Sequence, residues 1–370
     1  MADQLRILNS ISIKGFKSIK NIEKLELRLV NLLIGANGTG KSNFIDIFNL
    51  IDTIQKQGLN DYTQKYGGAD NILFFGSKYT SNLILELSFF EEAHGYWVCL
   101  APNNQDILYV QDEKCWCWEY CWDGSQNLPL KNYYNPHAKE QYESQGFKQI
   151  FSYINNWRKH HFHDTGDQSP MKKTADLNDN HFLRSDGSNL PAYLLFLRER
   201  HLQTYSLICN TIKQVTPFFA NFKLEPLRLN ENKIRLEWIH KFSDQYFDVS
   251  SLSDGTLRFI CLATLLLQPP ELRPSIILLD EPELGLHPYA ITLLASMIKS
   301  AAVDTQVIIS TQSSLLLDHF EPEDILVTEL EEGATTIKRL NAEELKQWLE
   351  EYSLGQLWEK NYFGGRPSNG

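Results

Sequence analysis

The sequence predicts an α/β protein organised around an open sheet, and three features predict it. An apolar strand, Leu32-Leu33-Ile34, runs into a glycine-rich loop that opens a helix. A second apolar strand, Ile276-Ile277-Leu278-Leu279, ends on adjacent carboxylates. Between them, short alternating runs separated by turn signals read as antiparallel strands.

The N-terminus reads as strand, turn, strand: Ile11-Ser12-Ile13, then Gly15 to Asn21, then Leu25-Glu26-Leu27-Arg28-Leu29. From Asn43 the spacing changes to a helical one, with Phe44, Ile45, Ile47, Phe48, Ile51 and Ile54 on one face. Leu83 to Leu87, Tyr96 to Cys99 and Ile107 to Val110 alternate as strands of an antiparallel sheet. A helix is expected from Leu190 to Arg200 after the turn Asp186-Gly187-Ser188-Asn189, and Val307-Ile308-Ile309-Ser310 reads as a further strand. These elements divide into an N-terminal lobe (1–125), a mixed, mainly helical insertion (126–224) and a C-terminal lobe (225–370). No sustained heptad run predicts a long coiled coil.

Composition sets limits on function. The 370 residues are 42% hydrophobic and 22% charged, the balance of a soluble protein with a buried core. No basic segment followed by an apolar run opens the chain, and no apolar stretch is long enough for a bilayer, so the expectation is a cytoplasmic protein with no membrane contact. A net charge of −11 argues against a broadly basic surface, which leaves DNA as a possible partner only through a local groove.

Gly35-Ala36-Asn37-Gly38-Thr39-Gly40-Lys41-Ser42 fits G-x-x-x-x-G-K-[ST] between a strand and an amphipathic helix, the context that motif requires. Glycines let successive N–H groups turn inward around phosphates, and the helix start adds its positive dipole end. Gly35, Asn37, Gly38, Thr39, Gly40, Lys41, Ser42 and Asn43 are therefore the candidate ATP-binding residues. Lys41 reaches the β- and γ-phosphates, and the Ser42 hydroxyl is a Mg²⁺ ligand. Asp280 is the second Mg²⁺ ligand, and Glu281 is placed to polarise the attacking water as general base.

Leu252-Ser253-Asp254-Gly255-Thr256 precedes a helical run and resembles the LSGGQ signature of ABC ATPases, in the form found in SMC/RecF-type relatives. The fold this resemblance implies is an ABC-type P-loop ATPase head with an antiparallel β lobe. It further implies that Ser253 and Gly255 contact the γ-phosphate of ATP held by a second copy, in a homodimer closed around the nucleotides. Pro282-Glu283-Leu284-Gly285-Leu286-His287-Pro288 is similar to the segment that follows the carboxylates in overcoming-lysogenisation-defect-like ATPases. There His287 reads either as a residue crossing the interface or as a helix-entry residue, the second being favoured. Gln312 stands where ABC ATPases place a switch histidine; it can donate to a phosphate but cannot carry a proton, so slow or partner-dependent hydrolysis is expected. Phe16-Lys17-Ser18 is similar to the F-K/R-S of that class, which implies that Lys17 approaches the nucleotide.

The resemblance extends over nearly the whole chain, to the stand-alone bacterial ATPases of the SMC/RecF-like class, relatives of anti-phage systems. It implies an ATP hydrolase that dimerises on ATP and gates a co-encoded effector protein. The alternative is a DNA repair or recombination clamp that binds DNA directly; salt-dependent DNA affinity of the isolated chain separates the two.

Other clusters have blander readings. Cys115, Cys117 and Cys121 have C-x-C rather than C-x₂₋₄-C spacing and read as a half-buried strand, not a zinc site. His160, His161, His163 and Asp164 lack a nearby acidic partner and read as structural. Trp157-Arg158-Lys159 with Lys172-Lys173 reads as a solvated basic loop. Gln55, Gln57 and Gln64 remain open as candidates for the glutamine that ABC ATPases use beside the cation.

Overall fold

Alternating apolar residues make the first strand, Leu8–Phe16, which buries Ile11 and Ile13 while Lys14 faces out. The computed structural model describes residues 8–89, 94–122, 127–134 and 145–365. The described chain falls into two compact units, one of residues 1–157 with 321–370 and one of residues 158–320.

In the first unit, Leu8–Phe16 pairs with Ile19–Glu26 on one side and Leu83–Phe89 on the other. His94–Pro102, Leu108–Trp122 and Asn127–Tyr134 complete a six-stranded antiparallel sheet. The hairpin differs from the expected layout. Phe16 pairs with Ile19, and Lys17 takes a left-handed φ of 47°, so the chain reverses at Lys17-Ser18. The second strand is thereby finished at Glu26, and Leu27 to Leu29 are not part of it.

The wholly buried strand Val30–Ile34 pairs in parallel with Ile325–Glu331, which pairs antiparallel with Ala334–Arg339. The tail therefore returns to the strand that carries the phosphate loop. Helix Lys41–Gln55 follows that loop and buries Phe44, Ile45, Ile47, Phe48 and Ile51.

In the second unit, strands Ile276–Asp280 and Gln306–Thr311 run parallel, with Asp280 opposite Ser310. The βαβ connection between them contains helix Pro288–Ala301. Helices Leu190–Arg200, Leu202–Val215, Asp254–Leu267 and Pro288–Ala301 pack in series. His287 accepts a hydrogen bond from the Tyr289 N–H as the cap of the last of these, which bears out the helix-entry reading. The longest described helix has 15 residues, so no coiled-coil arm exists among the described residues. No described helix is long and apolar enough to cross a membrane.

One buried ion pair ties the first unit together. Lys17 Nζ donates to Asp46 at 2.6 Å, and the two side chains are only 13% and 9% exposed. Tyr62 and Tyr66 donate to the same carboxylate, at 3.0 and 2.8 Å, and the ammonium lies 4.0 Å from the Tyr66 ring centroid. Burial pushes the Asp46 carboxyl up, but Lys17 and the two phenols outweigh it and hold it below its ordinary value. A depressed pKa means that this stabilisation is complete above about pH 4, the unfolded value, and is lost as pH falls through the folded one. Asp46→Asn leaves Lys17 without its counter-charge and is expected to cost about 3 kcal/mol in urea denaturation at pH 7. The gap between wild type and variant should narrow as the pH is lowered below about 4.

Candidate functional site

In the first unit the phosphate loop is shaped by glycines and braced by threonines from the tail. Gly38 and Gly40 take φ values of 83° and 99°, in the left-handed region that side chains disfavour. Gly40 is also the N-cap of helix Lys41–Gln55, which has no side-chain cap hydrogen bond. A side chain on Gly35 would collide with Thr328 and Thr39. The Thr39 hydroxyl donates to Ala36 O at 2.9 Å and lies 2.7 Å from Thr328 Oγ1, while Thr335 Oγ1 donates to Thr39 O at 2.9 Å. Ser18 Oγ sits 2.7 Å from Thr335 Oγ1 and accepts from Asn43 Nδ2 at 2.7 Å.

Lys41 is buried, and its ammonium donates to the loop carbonyls of Gly35 and Ala36 at 2.7 and 2.8 Å. Asn37, Gly38 and Ser42 are exposed. A triphosphate is a stronger partner for this ammonium than two carbonyls, since charge-assisted bonds are roughly twice as strong as neutral ones. Lys17 is held by Asp46 in this structure, one residue from the Ser18 that supports the loop. Thr328 and Thr335 carried no motif in the sequence; only the fold reveals them as the loop's supports.

In the second unit the carboxylates are set by a strained turn. Asp280 closes its strand and accepts a hydrogen bond from Ser310 Oγ. Glu281 has a φ of 42°, unusual for a residue with a side chain, and its N–H donates to Ser310 O at 2.8 Å. Gln312 Nε2 donates to Glu281 Oε1, so the two residues expected to act in hydrolysis meet directly. Behind them, Glu283 accepts from Thr311 Oγ1 at 2.6 Å and from the Gln312 N–H at 3.1 Å. Burial raises its carboxyl above the ordinary value, against the opposing effect of those hydrogen bonds. Glu283, which no local motif singles out, positions the Gln312 backbone.

The signature segment starts helix Asp254–Leu267, with Ser253 as its cap, accepting from the Thr256 N–H at 3.2 Å. A Cβ on Gly255 would run into the carbonyl oxygen of Gly285, so the close approach of two backbones requires glycine at 255. One turn on, Arg258 is only 8% exposed, and its guanidinium joins three carbonyls. Nε donates to Phe162 O at 3.0 Å, Nη2 to His163 O at 3.3 Å, and Nη1 to Leu284 O. Sequence reasoning missed Arg258, because a basic residue inside an apolar helix looks like a solvent-facing position. This arginine fixes the segment Phe162-His163, which brings His161 and His163 to Asp280. The acidic partner that these histidines lacked locally is therefore the strand-end aspartate.

The remaining candidates stay apart from these groups. Gln55 closes a 15-residue helix, about 20 Å from the loop by helical rise, and Gln57 lies just past its end. Gln64 reaches Asn60 at 3.4 Å. Cys115 is buried and not in a disulfide, whereas the side chains of Cys117 and Cys121 lie outside the described residues. The basic loop is divided: Arg158 stacks 5.2 Å from the Phe182 ring, and Lys172 lies 3.6 Å from Asp254.

A family profile described as "AAA domain, putative AbiEii toxin, Type IV TA system" matches residues 30–318. Among solved structures, the chain is similar to an SMC head bound to the C-winged helix domain of ScpA. The TM-score is 0.61 at 15% identity, covering 92% of this chain and 99% of the other. It is also similar to the Pyrococcus furiosus Smc head with an extended coiled coil bound to the C-terminal domain of ScpA. Here the TM-score is 0.57 at 13% identity, covering 93% and 98%. These likenesses bear out the expected P-loop ATPase fold of the SMC-head type. A search of curated proteins finds no match.

Arg258→Met would leave the carbonyls of Phe162, His163 and Leu284 without their shared donor. It is expected to cost about 3 kcal/mol or more, read as a lowered urea midpoint. Arg258→Lys should recover little, because an ammonium lacks the planar fork that spans these three acceptors.

Proposed function

We propose, from the premise that the chain belongs to the family described as "AAA domain, putative AbiEii toxin, Type IV TA system", that it is an ATP hydrolase working as an ATP-closed homodimer. The observation that carries this reading is the pairing of Glu281 with Gln312, one residue beyond the strand-end Asp280. A carboxylate held on a left-handed turn by a neutral amide is suited to orienting a water, while the amide is free to turn toward a phosphate.

In this reading the loop Gly35–Ser42 and Asn43 wrap the phosphates, and Lys41 exchanges its two carbonyl partners for phosphate oxygens. Ser42 and Asp280 offer a hydroxyl and a carboxylate, the hard oxygen donors that Mg²⁺ takes. When bound there, such a cation would supply positive charge to offset the negative charge developing on the phosphoryl group. Glu281 accepts the proton of the attacking water. Gln312 cannot relay it, which makes turnover slow and open to control by a partner. Lys17 approaches the nucleotide only after leaving Asp46.

Ser253 and Gly255 stand at an exposed helix start and are assigned to the triphosphate of the opposite copy. Dimer formation on ATP then gates a co-encoded effector in anti-phage defence. The family resemblance supports this role.

Lys41→Ala should abolish ATP binding in a calorimetric titration, and unchanged affinity would contradict the assignment. Glu281→Gln should retain binding, lower turnover by at least about 100-fold, and accumulate as a dimer with ATP on a sizing column. A monomer at saturating ATP would count against the closed homodimer.

A further inference from the structure

Residues 160 to 163 alternate as an extended segment should: His160 and Phe162 are buried, while His161 is exposed and His163 half-buried, with ring centroids 5.9 Å apart. This outward-facing pair meets Asp280, and one ligand atom from each of the three residues lies within 4.8 Å of the others. We propose that His161, His163 and Asp280 form a binding site for a first-row divalent transition-metal ion such as Zn²⁺ or Mn²⁺, occupied without nucleotide.

Three lines of geometry support the site. The backbone that carries the imidazoles is fixed, because the His161 N–H donates to Ser185 O at 2.8 Å and Arg258 holds the carbonyls of Phe162 and His163. Asp280 is itself oriented by Ser310 Oγ, the kind of outer hydrogen bond that positions metal-ligating carboxylates. A small cleft lined by His163, Arg258, Asp280 and Glu281 gives access to the same corner.

The donor set then decides which ion fits. Two imidazoles and one carboxylate match catalytic zinc and non-haem metal sites, which keep open positions. Mg²⁺ favours oxygen ligands and gains little from imidazole. Ligand atoms about 2.0–2.1 Å from a zinc ion stand roughly 3.3–3.5 Å apart in a tetrahedral site. Side-chain rotation of the two imidazoles closes the remaining gap, at most about 1.5 Å, without moving the pinned backbone. Metal binding as such does not rest on the ATP reading. Its consequence for turnover does, because Asp280 would then serve two competing cations.

The test is a titration of the nucleotide-free, untagged full-length chain with Co²⁺, followed by its visible absorption and back-titrated with Zn²⁺. The expected result is a saturable spectrum that Zn²⁺ abolishes and excess Mg²⁺ does not. His161→Ala/His163→Ala should weaken Co²⁺ binding by at least about tenfold while keeping the wild-type melting temperature. Should the double variant melt early, His161→Gln alone, at an exposed position, carries the same test. Absence of the spectrum in wild type, or an unchanged spectrum in the variants, would overturn the site. ATP affinity is measured in a separate titration, so a failure of nucleotide binding and a failure of metal binding are told apart.

Discussion

A buried guanidinium holds the carboxylate-bearing unit in register. Arg258 lies in an otherwise apolar helix, and burial lowers its pKa from the ordinary arginine value. Taking that charge from water is costly, and the cost is offset only because three carbonyls from two separate loops converge on it. One of those loops follows Glu281, the other carries the histidines. The signature helix, the turn after the carboxylates and the histidine segment are thus fixed by one side chain, with Gly255 letting the first two touch.

The phosphate-loop unit meets a similar demand by other means. The carbonyls and hydroxyls of its buried loop residues need partners of their own. Thr328 and Thr335 supply them from strands near the end of the chain, and Ser18 adds a third hydroxyl from the first hairpin. The tail's return is thus a requirement of the loop's geometry. Lys41, resting on two carbonyls, is poised for an anion that binds it more strongly.

Features set by local rules were legible in the residues. Helix Leu190–Arg200 and strand Ile276–Asp280 lie where periodicity puts them, and His287 caps its helix as its position before Pro288 implies. The loop motif announced itself because its glycine spacing is a backbone requirement. What escaped depends on contacts between residues far apart in sequence. Thr328 and Arg258 belong to no sequence motif, and the histidines read as a cluster without an acid because Asp280 reaches them only through folding. The first hairpin turns earlier than its sequence pattern implies because Lys17 adopts a turn conformation that its side chain gives no hint of.

The central claim is that the helix start at Ser253 completes the triphosphate site of another copy, and mixing two inactive variants tests it most directly. Lys41→Ala and Ser253→Arg are purified separately, combined, and assayed for ATP hydrolysis. If the signature acts across copies, a mixed dimer contains one site free of both substitutions, and activity should reappear on mixing. No recovery from folded proteins that associate would place both groups on one chain's own nucleotide and contradict the account.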